Sequence, residues 1–222
     1  MSLDAENALV TSSDERCDYL FKTVCGTVEF TMIAEEMEQL HEFCVLCQNS
    51  LSRTVATLKQ DLVTYREHRK RVVVEDIGDV TEDAMMGLED FEIPTWEDCE
   101  RFLMPAMCLI MVSAFVEKSL KTLCLTFAPA GQAVGREKRA GGIILGLISF
   151  LQEQCGFRFI EPAESSAARN ECRQIRNSFA HGDWHAVRSV VGRISLKEAF
   201  RSASQLFAVI EEGKPSLPRA RY

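Results

Sequence analysis

The sequence predicts an all-α protein, and three observations carry that reading. Proline (6) and glycine (12) are scarce among 222 residues while Leu, Ala, Glu and Arg are plentiful, a composition that favours helix. Apolar residues recur at three- and four-residue steps over long stretches, the period of one helix face. Capping residues and helix stops then fall where that period begins and ends.

In chain order, Ser12, Ser13 and Asp14 are N-cap residues for a first helix running to about Cys25. From Phe30 to Arg71 the apolar series Ile33, Met37, Leu40, Phe43 or Cys44, Cys47, Leu51, Val55, Leu58, Leu62, Tyr65 marks one long amphipathic helix or two stacked ones. The triplet Val72-Val73-Val74 interrupts it and fits a short strand. Thr95, with Asp98 three residues on, offers a weak capping box for a helix that ends before Pro129. The stretch "GQAVGREKRAGG" reads as a loop with Arg136, Lys138 and Arg139, followed by a helix over residues 143–154. Pro162 opens the next helix, as proline is tolerated in a first turn. That helix stops at His181-Gly182, glycine being favoured just past a helix end. Ser195 caps a last helix to Glu211, before Gly213 and Pro215. These elements give two regions: residues 1–92, helical and ending in an acidic linker, and residues 93–222, with a four-helix core between 95 and 212.

Charge is unevenly placed. Residues 1–100 hold 23 acidic and 8 basic side chains, net −15, and the remainder is basic enough to bring the chain to −8. Eleven acids and no base fall within residues 75–100, which reads as a solvated linker or as a strip that covers a basic groove and competes with a phosphate backbone. The basic C-terminal part suits a polyanion on one side of the molecule. Nine scattered cysteines, mostly inside apolar runs and behind no leader, read as reduced core residues of a cytoplasmic protein. Cys44 and Cys47 form the one C-x-x-C and lack a second pair for zinc. The longest apolar run, residues 102–116, is too short to span a bilayer and reads as a buried helix, so no membrane contact is expected. The chain has no P-loop, no G-x-G-x-x-G after a strand, no H-E-x-x-H and no G-x-S-x-G.

The stretch that carries chemistry is "QIRNSFAHGDW", residues 174–184. At about 100° per residue, Ala168, Cys172, Ile175 and Phe179 fall within about 60° and form the buried stripe, while Arg176 and His181 lie about 140° apart. They cannot make one i,i+4 surface pair. Two copies related by a two-fold axis would instead bring two of each to one cleft. Arginine offers a planar fork for phosphate oxygens. Imidazole, which titrates near neutrality, can take a proton from a ribose 2′-hydroxyl or give one to a leaving 5′-oxygen. Together they suit RNA cleavage by attack of the 2′-OH on the adjacent phosphate, and the need for that hydroxyl spares DNA. Asn177 can donate to phosphate or orient the imidazole.

"IRNSFAHG" resembles the signature of HEPN domains: Arg, a polar residue that is often Asn, a few more residues, then His and frequently Gly. Arg176, Asn177, His181 and Gly182 match it. "FVEKSLKTLC", residues 115–124, is similar to the first core helix of such domains, with Glu117 as its acidic residue. The resemblance covers about residues 95–212 and implies a four-helix up-down bundle, pairing of two bundles, and very often metal-independent endoribonuclease activity without a cofactor, in toxins or defence effectors; residues 1–92 match no family pattern and read as an N-terminal helical extension. Partners implied are RNA, a second copy and an antitoxin or regulatory protein.

Around this catalytic set, Arg169, Arg173 and Arg188 fit a phosphate track or a plain solvated face, Trp184 a base-stacking surface or an anchor at the helix end or dimer interface, and His185 a second proton-transfer group, a substrate contact or plain surface. The competing reading is structural: Arg176 pairs with an acid such as Glu117, His181 merely closes its helix, and the bundle binds protein, nucleotide or RNA without cutting it.

Overall fold

The computed structural model describes residues 18–71, 78–132 and 142–215. Among these the regular structure is entirely helical: α1 (Val28–Arg71), α2 (Gly78–Gly87), α3 (Ile93–Asp98), α4 (Met104–Phe127), α5 (Ile143–Glu153), α6 (Ala163–Ala180), α7 (Trp184–Val191) and α8 (Leu196–Glu212). The expected caps at residues 12–14, the Val72–Val74 strand and the basic loop at residues 136–139 lie outside the described residues.

The chain forms two compact units. The first comprises residues up to Glu42 and from Cys108 onward. Its core is built from Phe30 and Met37 of α1, Leu109, Leu120 and Leu123 of α4, Leu151 of α5, Ile175 of α6, and Phe200, Phe207 and Ile210 of α8, all buried. Phe115 meets Phe207 edge-on, at 5.9 Å between ring centres. α6 packs on α7 and α8. Of the apolar series in α1, the buried members are Ile33, Met37, Cys44, Val55 and Leu62, whereas Phe43 and Tyr65 are exposed.

The second unit, Phe43–Met107, is a helical hairpin. Leu62 of α1 packs with Leu88 and Ile93, flanked by Leu58 and Met85. Ion pairs Lys59–Glu97 and Arg66–Glu89, each 2.6 Å, run along it, with a hydrogen bond from Ser52 to Glu100. The Lys59 bond holds the Glu97 carboxyl below its usual range. The acidic tract is therefore helical from Gly78 onward and no linker: three of its carboxylates have partners on α1. Wide, π-helical turns at Leu88–Glu92 and Cys99–Leu103 join α2, α3 and α4. Thr95 is accordingly inside a helix and caps nothing. By length and composition alone the helical stretch Glu82–Phe127 contains a segment apolar enough to cross a bilayer, and half of that segment is buried in the protein.

Two further expectations change. Residues 18–27 are turn and loop, not the end of a first helix. Between α6 and α8 an additional helix, α7, buries Val187, Val190 and Val191. Its start signal is Asp183, whose carboxylate accepts from the Ala186 amide at 3.0 Å.

Candidate active site

α6 begins at Pro162 in extended geometry and buries Ser165, Cys172 and Ile175, the side the periodicity marks. Its far end closes in a Schellman motif: the Gly182 amide bonds to the Phe179 carbonyl (3.1 Å) and the Asp183 amide to the Ser178 carbonyl (2.9 Å). Gly182 takes φ +69°, the left-handed conformation that L side chains resist. One residue later Asp183 caps α7. Three residues thus turn the chain from one helix into the next, and His181 is the C-cap between them, its side chain exposed.

Arg176, one turn back, extends toward α4 and bonds Glu117 through Nη1 to Oε2 at 3.0 Å. Both side chains are partly open, at 40% and 29% exposure, so water and a phosphate can reach the pair. Asn177 is exposed, and its carbonyl accepts the His181 amide at 3.1 Å. Among the described residues no side-chain hydrogen bond joins Arg176 or Asn177 to His181. Trp184 is 47% exposed and meets Phe179 edge-on at 5.2 Å, which fixes the indole beside the junction. His185 follows it on the surface.

The outer arginines divide. Arg169 is 10% exposed, and its fork is closed on both oxygens of Glu161 (3.1 and 3.0 Å), with Ser166 as a third partner. An arginine engaged in this way is a structural tie between α6 and the segment before it, rather than a free phosphate ligand. Arg173 is exposed, its Cδ lying where a Cβ on Gly142 would come within 3.6 Å. Arg188 is exposed on α7. Among the described residues no three His, Cys, Asp or Glu side chains group as a metal site. Burial pushes the thiols of Cys124 and Cys172 up to about 12, away from nucleophilic use.

Against family models, curated proteins and solved structures, the chain matches none.

Proposed function

We propose that the chain is a HEPN-like, metal-independent endoribonuclease of the cytoplasm, a toxin or defence effector. In this reading α4, α5, α6 and α8 form a four-helix up-down bundle, and two copies pair so that Arg176, Asn177 and His181 of both line one cleft. The supporting observation is the rigid α6–α7 junction, which presents an exposed imidazole five residues past an arginine fixed by Glu117. One His181 removes the proton from the 2′-hydroxyl as its oxygen attacks phosphorus. The other protonates the 5′-oxygen as that bond breaks. Arg176 stabilises the charge on the non-bridging oxygens. Products are a 2′,3′-cyclic phosphate and a 5′-hydroxyl end. Since no step uses a Lewis acid, EDTA leaves the rate unchanged. His181→Ala lowers cleavage by about 10²–10⁴-fold, the usual worth of a positioned acid–base group, while the circular dichroism stays helical. Wild-type protein that cuts no RNA, or is stopped by chelation, overturns the reading.

The Arg176–Glu117 pair favours a second reading, because an arginine held by a carboxylate has part of its charge already used. There the bundle binds RNA, a nucleotide, an antitoxin or another regulatory protein without cutting. A gel shift with no cleavage, indifferent to His181→Ala, selects it.

A further inference from the structure

Residues 18–27 form neither helix nor strand, yet they are fastened at three points of the first unit. The Tyr19 hydroxyl and His41 Nε2 share a hydrogen bond at 2.5 Å, and the Lys197 ammonium of α8 stands 5.6 Å from the centre of the Tyr19 ring. Phe21, 5% exposed, lies between Phe30 of α1 (6.3 Å) and Phe207 of α8 (6.1 Å). At the far end Glu211 of α8, 3% exposed, accepts from the Thr23 hydroxyl at 2.5 Å and from the Val24 and Cys25 amides at 3.0 Å each. The turn is finished by Gly26 at φ +60°, whose amide bonds to Thr23 Oγ1 at 3.2 Å. Beside the segment His41 of α1 meets Phe200 of α8 edge-on at 5.1 Å.

We propose that residues 18–27 are a strap released by acid: a proton taken by His41 or Glu211 weakens one of its polar fastenings and lets the segment lift from α1 and α8. The middle of the strap is held by one buried ring, so its hold depends on the two ends.

The two ends titrate in the same direction. Burial lowers the His41 pKa below its ordinary 6.5, against the opposing charge of Glu38 on the same helix. The closed strap therefore favours neutral imidazole, and its stability falls as pH drops below 6.5. Lys197, over the Tyr19 ring, is a further charged group at that corner. For Glu211, burial alone would raise the pKa, but the Thr23 hydroxyl, the Val24 and Cys25 amides and the nearby Lys214 outweigh it and hold the carboxyl below its ordinary 4.5. That fastening is intact above 4.5 and is lost as pH falls through the lower folded value. His41 thus loosens first and Glu211 second.

Hydrogen exchange on the intact protein, corrected for the intrinsic pH dependence of the chemistry, tests this. Between pH 7.5 and 4.0, protection of the Val24 and Cys25 amides falls by about tenfold or more while α6 and α8 amides keep theirs, the mark of a local opening. Glu211→Gln shows the reduced protection already at pH 7.5. His41→Phe, which takes no proton but loses the Tyr19 bond, shows lower strap protection at pH 7.5 and a smaller further fall between pH 6.5 and 5.0. Unchanged strap protection down to pH 4.0 overturns the proposal, as does strap exchange that tracks α8 at every pH. If either variant fails to fold, the wild-type profile decides by itself.

Discussion

Gly182 sits at φ +69° where two backbone amides turn back onto α6. A side chain there is strained although nothing crowds its Cβ position. Gly182→Ala is expected to cost about 1–2 kcal/mol and to swing the imidazole of His181 with the backbone, so urea unfolding and any RNA cleavage both decline. Asp183→Ala removes the α7 cap and costs about 1 kcal/mol, again read by urea unfolding. These two residues differ in how readable they were. Glycine after a periodic run announces a helix end. Asp183 carries an equally ordinary cap signal, yet it belongs to a helix of eight residues whose buried positions are three valines, too short a period to stand out. Glu211 was unreadable from sequence. It lies on the apolar side of α8 beside Ile210, and what neutralises its burial is a loop nearly 190 residues earlier in the chain.

At the scale of elements, α6 and α8 were legible because both ends carried local chemistry: extended Pro162 and Gly182 for one, the Ser195–Glu198 capping box and Gly213 for the other. The hairpin of the second unit was not. Its acidic composition suggested solvated chain, whereas Lys59, Arg66 and Ser52 on α1 supply partners that no local rule reveals. The two wide turns have a common physical cause. The Ile93 amide reaches back to Leu88 and the Met104 amide to Cys99, and in each case the next residue is a proline, Pro94 or Pro105. Proline lacks an N–H and its ring collides with the carbonyl four residues earlier; the widened turn absorbs both. Pro105→Ala should let this turn tighten, so that the Met104 amide bonds to Glu100 in a crystal structure of the variant. A Met104–Cys99 bond that persists would show that packing, not proline, sets the turn. A steric rule governs the end of α8. Gly213 accepts the Arg158 amide at 2.8 Å, and a Cβ there would come within 2.3 Å of the Arg158 carbonyl oxygen. Gly213→Ala is expected to destabilise by about 1–3 kcal/mol in thermal unfolding.

For the whole molecule, the sequence made the helical class plain through composition and period. It did not reveal the two contact units, because their limits at residues 43 and 107 fall inside periodic stretches, without a punctuating glycine cluster. The proposed activity depends on a property that one chain does not contain. Around an ideal helix Arg176 and His181 are set about 140° apart; a symmetric partner is what would bring a guanidinium and two imidazoles to one phosphate. Sedimentation of the 25.0 kDa chain is therefore expected to give twice that mass, and RNA affinity is expected to fall with salt, as phosphate contacts demand. The most direct measurement of the central claim is the chemistry of the cut ends. Purified protein is incubated with RNA in EDTA and the fragments are analysed by mass spectrometry, beside His181→Ala. The account predicts 2′,3′-cyclic phosphate and 5′-hydroxyl termini from wild type and intact RNA from the variant. Fragments with 5′-phosphate ends, or equal cleavage by both proteins, would contradict it.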